Sequence, residues 1–340
     1  MKRIITVAAL LGILSIPSHS FAYNVLGNKF SDNDFYYKLE GTFPSKYSGP
    51  LQAAVDSWND TNTPISFIKS GIDELIEVHF EVPASYGNTS WDGMNAVSGP
   101  SGGYYTYASI IINTDLLNYA NFDYIKGLYG HEMGHVMGLD HVYDKTQIMC
   151  TTANGRKVYV PGSDDIDGIN YLYGQSYSNV NPSVTLTDAD SVRYSGHLVK
   201  NYETADELKK DADLVLEIEA TDSSSLEYKN IVFTLINAKV KKEFKAGKKF
   251  KDKEIKILET GGYYEGKNYL FEDNEVLKEG DKTIVFLKKY EGPIADDAYV
   301  ILGAYQGKFN LDKNGNIKES KKLDGRLSEI NNMNDLQLDE

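Results

Sequence analysis

One cysteine, Cys150, is all that this 340-residue chain contains. No disulfide can close within it, so stability has to come from packing and bound metal. Positive charge is scarce too. There are 35 Lys and Arg against 49 Asp and Glu, a net charge of −14. Nucleic acids and anionic membranes are met by basic patches, so neither is an expected partner. Beyond the N-terminus the chain also lacks any apolar run long enough to span a bilayer. Residues 4–14 are apolar, follow Lys2 and Arg3, and lead to Ser20-Phe21-Ala22. That run is too short for a membrane helix and reads as an export signal over residues 1–22, cut at a small-x-small site. Its loss removes Lys2 and Arg3 and takes the net charge to −16. A secreted, extracellular chain beginning at Tyr23 is the expectation.

Histidine is equally sparse, with six in all, yet three fall within eleven residues: HEMGHVMGLDH, residues 131–141. His131 and His135 are four apart and share one face of a helix. Glu132 lies beside the first, able to reach a water on a metal without being a ligand. Gly138 stands where a helix ends in a left-handed residue, which glycine adopts cheaply. The chain can then turn back so that His141 supplies a third nitrogen. Catalytic zinc requires this set: three protein ligands, one open position and a neighbouring base. A bare HExxH is a weak signal. Five fixed positions, each at about 1 in 20, bring the chance in this length to roughly 10⁻⁴.

HExxHxxGxxH resembles the metzincin zinc-peptidase signature, and this version is similar to that of matrixins. Metzincins place a methionine in a tight turn under the metal, and Gln147-Ile148-Met149 fits, eight residues after His141. Residues 161–174, PGSDDIDGINYLYG, resemble the closing helix of matrixin catalytic domains. The resemblance spans roughly residues 23–175. It implies one catalytic Zn²⁺ on His131, His135 and His141, Glu132 as general base, and Met149 as a packing floor. It also implies that Asp164 or Asp165, otherwise helix-capping residues, ties the closing helix to the methionine turn. An extended substrate would add as a strand to a sheet edge within residues 94–99, after a turn at Trp91-Asp92-Gly93.

The chain departs from matrixins in several ways. In this region only His79 is left over, so a second, structural zinc is not expected; a lone strand histidine is usually a packing or surface residue. Calcium on loop carbonyls with Asp92 or Asp115 stays compatible with the sequence. Cys150-Thr151-Thr152 replaces the Pro-x-Tyr segment that usually follows the methionine. Cys150 reads as a small buried residue. About a dozen residues separate Ala22 from the first expected strand near Phe35, so no propeptide is expected.

Composition shifts near residue 180. Residues 23–182 hold 8 Lys and Arg against 18 Asp and Glu, with 16 of the 25 tyrosines; residues 183–340 hold 25 against 31. The expected layout is a signal (1–22), a zinc-protease domain (23–180), a β-rich accessory domain (181–320) and a mobile polar tail (321–340). The first domain should be α+β, a twisted sheet with three helices. One helix opens at Ser48-Gly49-Pro50, strands cover 75–83 and 107–115, an irregular loop fills 84–106, and the zinc helix is capped by Asn121 or Asp123. Strand patterns at 212–220, 231–242, 254–260, 283–290 and 298–305 make the second domain mainly β, an OB- or netrin-like barrel or a sandwich.

The function these readings imply is a secreted zinc endopeptidase acting on extracellular proteins or peptides, expected as a monomer. Two alternatives stand beside it: an inactive metzincin scaffold used for binding or adhesion, and a zinc amidase acting on cell-wall material. The intact Glu132 argues against the first.

Overall fold

The computed structural model describes residues 23–99, 103–151, 154–174, 191–246, 250, 253–318 and 325–338. The export signal expected over residues 1–22 lies outside them. Two short strands, β1 (Asn24–Val25) and β2 (Asp34–Leu39), precede helix α1 (Ser45–Asn59). That helix forms because Tyr47, Leu51, Ala54, Val55 and Trp58 recur at helical spacing and bury one face. It starts earlier than Ser48-Gly49-Pro50. The Pro44 carbonyl accepts from the N–H groups of Tyr47 and Ser48, leaving Pro50 inside the helix.

Four more strands follow: β3 (Ser66–Lys69), β4 (Val78–Phe80), β5 (Trp91–Ser98) and β6 (Tyr107–Ile112). β2 runs parallel to β3 and β4, and β4 parallel to β6, while β5 is antiparallel to β6. The irregular loop expected at 84–106 therefore contains a regular strand, β5. Helix α2 (Phe122–Val136), the two-residue β7 (Leu139–Asp140) and helix α3 (Ser163–Tyr173) complete this half. α1 and α2 pack together on one sheet face, where Trp58 Nε1 donates to the Gly130 carbonyl at 2.9 Å. Phe35, Phe80, Ile110, Leu128 and Tyr129 are fully buried there.

The second half supplies β8 (Ser191–Leu198), helix α4 (Ala205–Asp211), β9 (Leu214–Tyr228), β10 (Ile231–Lys245), β11 (Glu254–Thr260), β12 (Gly262–Tyr264), β13 (Lys267–Phe271), β14 (Lys282–Lys289), β15 (Ala298–Ile301) and β16 (Lys308–Asn310). Five of these close a ring. β9 pairs with β10, β10 with β11, β11 in parallel with β15, β15 with β14, and β14 returns to β9. The mainly β character expected of this half holds.

The boundary expected near residue 180 does not divide the sheets. β8, β13 and β12 extend the first half's sheet, giving the order β12-β13-β8-β5-β6-β4-β2-β3. Trp91, Met94 and Ala96 of β5 face a core shared with Tyr194 of β8 and Phe233 of the ring. The tail expected to be mobile also folds where it is described. Leu327, Ile330, Leu336 and Leu338 are buried with Leu208, Phe286 and Phe309, because apolar residues punctuate its polar sequence.

Candidate active site

Helix α2 carries the site. The Asn121 side chain accepts from Tyr124 N–H at 2.9 Å and caps it, the first of the two residues expected for that role. The helix ends before Gly138, whose φ is +100°, and a Cβ there would lie 2.7 Å from the Asn28 carbonyl oxygen. Glycine is required on both counts. Asp140 Oδ1 then accepts from the N–H of His141 at 2.7 Å and fixes the returning chain.

The three imidazoles converge. Their Nε2 atoms are 3.1 Å (His131–His135), 3.1 Å (His135–His141) and 3.2 Å (His131–His141) apart. The other ring nitrogen of His131 donates to the Ile148 carbonyl, and that of His135 to the Leu139 carbonyl, each at 2.8 Å. Those bonds fix the tautomers and leave Nε2 lone pairs aimed at one point. Burial lowers the pKa of His131 and brings that of His135 to about 4, so both are neutral at pH 7. Converging lone pairs repel unless a cation sits between them. A tetrahedral zinc with bonds of about 2.0–2.1 Å wants nitrogens about 3.3–3.4 Å apart, and the donor set fits it closely. Among the described residues no other group of three metal-ligating side chains comes together.

Met149, eight residues past His141, is fully buried. A Cβ on Gly134 would collide with its sulfur, so the glycine between the two helical histidines makes room for the methionine. Asp165 holds the turn: its Oδ2 accepts from Ile148 N (2.6 Å) and Gly162 N (2.7 Å), and Oδ1 from Met149 N (3.2 Å). Burial raises its pKa to about 6 against the pull of those donors. Of the two aspartates considered, Asp165 ties α3 to the turn. Cys150 is buried.

Glu132 has no solvent exposure. Its Oε2 accepts from Asn95 Nδ2 at 3.1 Å, and its Oε1 is buried without a partner. Burial pushes its pKa well above the usual carboxylate range. The orphaned carboxylate oxygen, one residue along α2 from His131, is a buried polar group that the protein itself leaves unsatisfied.

His79 sits elsewhere, its Nδ1 2.5 Å from Glu40 and its ring against Tyr107. Asp92 and Asp115, considered for calcium, are engaged by protein groups. Asp92 accepts from Tyr124 Oη (2.5 Å) and bonds His197 Nδ1 (2.8 Å), while Asp115 Oδ2 accepts from Ser85 Oγ and Gly87 N, both at 2.6 Å.

Four site residues escaped the sequence reading. Asn95 bridges the base to the Ser195 carbonyl at 3.3 Å. The fully buried His197 ring lies 5.0 Å, edge to face, from that of His131. Glu272 accepts from Gly196 N at 2.8 Å, and burial pushes its pKa up to about 7. Arg156 is buried, with Nη1 donating to the Ile148 carbonyl at 3.2 Å and Nε and Nη2 lacking partners. The sixth histidine in the run SVRYSGHLV was the one available signal. A cavity of about 350 Å³ beside His141 is lined by groups from both halves, among them Arg193 and Glu272.

Residues 44–174 match the family model described as Matrixin. The match takes in the three histidines, Glu132, the methionine turn and α3. Residues 44–174 thus form a matrixin-like catalytic domain, and the protein is a zinc metalloendopeptidase.

Proposed function

We propose that the chain is an exported endopeptidase that cuts extracellular proteins, with zinc on His131, His135 and His141 and Glu132 as general base. The observation that carries this is the triangle of Nε2 atoms with an unpartnered carboxylate oxygen at its side. Zinc there would supply Lewis acidity, polarising a peptide carbonyl and bringing the pKa of water to about 7. Glu132 takes a proton from the attacking water. It then gives the proton to the amine nitrogen as the C–N bond breaks. Asn95 holds the carboxylate in place through Oε2.

The substrate backbone would align antiparallel to β5. Gly93 and Asn95 lie on its α2 side, and a Cβ at Gly93 would fall 3.1 Å from Glu132 Oε1. Export is supported by the basic and apolar start of the sequence. Among the described residues no helix is long and apolar enough to cross a membrane. The ring of β9, β10, β11, β15 and β14 is read as an OB-type barrel, supported by its closed five-strand order. The direct test is Glu132→Gln. One zinc per chain should remain while peptide cleavage falls by about 10²–10⁴-fold. Undiminished cleavage would remove Glu132 from the role.

A further inference from the structure

β5 has two edges, and both are taken. β6 pairs along one, and β8 runs antiparallel along the other, with Asn95 opposite Ser195, Met94 opposite Gly196 and Gly93 opposite His197. We infer that residues 191–198 are a built-in occupant of the substrate groove that keeps the intact chain latent. This rests on the reading of β5 as the strand that receives substrate.

A sheet edge offers one row of N–H and C=O groups, so an incoming peptide and β8 compete for the same bonds. The register also carries β8 to the base. The Asn95 amide reaches both Glu132 Oε2 and the Ser195 carbonyl oxygen, which sets the Ser195–Gly196 peptide beside the carboxylate. That carbonyl is engaged by the amide, so the segment lies there as an inhibitor rather than as a substrate presented for attack. The His197 ring fills the space next to His131 and is anchored by Asp92. Glu132, which must meet water and substrate, is sealed beneath.

The occupant is latched on its far side. β13 pairs with β8 in parallel, Arg193 Nε meets Asp273 Oδ1 at 2.8 Å, and Glu272 N donates to the Tyr194 carbonyl at 2.8 Å. The Glu272 carboxylate in turn accepts from Gly196 N. Glu272 and Asp273 both adopt left-handed backbone, at φ 49° and 54°, a conformation that non-glycine residues hold only where surroundings impose it. Tyr194 is buried between sheet and ring, and its hydroxyl accepts from Val232 N at 3.1 Å. The ring therefore grips the strand that blocks the cleft.

The test uses the zinc-loaded full chain in three forms: unaltered, Ser195→Pro, and Val97→Cys with Arg193→Cys. Proline removes a ladder N–H and clashes within a central strand, which should expel β8. Val97 and Arg193 are register partners, at a separation a disulfide can span. Two readouts are taken: cleavage of a short fluorogenic peptide, and amide hydrogen exchange over 91–98 and 191–198. In the unaltered chain both strands should exchange slowly. Ser195→Pro should expose both while α2 stays protected, and should raise cleavage at least about 50-fold by enlarging the open fraction. The oxidised cysteine pair should abolish residual cleavage, and reductant should restore it. Fast exchange of β5 in the unaltered chain, or undiminished cleavage by the bridged chain, overturns the masking alone, whether or not the proline variant folds. Release of β8 with no gain in cleavage overturns the reading of β5 as the receiving strand, and the inference with it.

Discussion

The metal site and the groove beside it are built in opposite ways. His131, Glu132, His135, Gly138 and His141 lie within eleven residues, and one capped helix with one left-handed glycine brings them together. The groove instead joins β5 to β8 across about a hundred residues, and β8 is held by β13 from further on still. Local chemistry fixes the first; only the packing of ring against sheet fixes the second. A cleft whose catalytic half is local and whose covering half is distant can keep its chemistry intact while its access is controlled elsewhere.

The sharpest way to break that contrast is at the local half. His135→Ala should leave the fold in place but reduce bound zinc from one per chain to near none, measured by elemental analysis. Cleavage should fall about 10³-fold or more with it. Asp165→Ala comes next, because it strands three backbone N–H groups of the turn and of α3. A loss of about 2–4 kcal/mol in denaturant unfolding is expected, and an unchanged midpoint would show that the turn holds itself. Arg193→Ala probes the distant half more gently. Its ion pair with Asp273 is partly exposed, so stability should change by about 1 kcal/mol or less, while short-peptide cleavage rises by about fivefold or less. His79→Ala serves as the contrast. It should leave zinc content unaltered and stability within about 0.5 kcal/mol, since its partners are Glu40 and Tyr107 at the surface.

The same division decides what could be read from the sequence. The helical spacing of the histidines, the glycine stop and the methionine eight residues on are short-range signals, and the structure assembles them into one site. The strand patterns at 212–220, 231–242 and 254–260 were equally local and appear as β9, β10 and β11. The residue pattern hid β5, which only the family resemblance pointed to at 94–99, because WDGMNAVS carries glycine and polar residues facing α2, where Gly93 and Asn95 make room for Glu132 and bond it. β8 was hidden because Arg193, Ser195, Gly196 and His197 break the usual strand alternation to meet Asp273, Asn95, Glu272 and Asp92. Their partners are all remote in sequence. Arg156 left no trace for the same reason: its surroundings come from α2 and the methionine turn.

Zinc K-edge X-ray absorption on the purified full chain decides whether His131, His135 and His141 share one metal. One zinc per chain is expected, with three imidazole nitrogens at about 2.0–2.1 Å and no sulfur neighbour. A spectrum showing a sulfur ligand from Cys150, or fewer than three imidazoles, would contradict it.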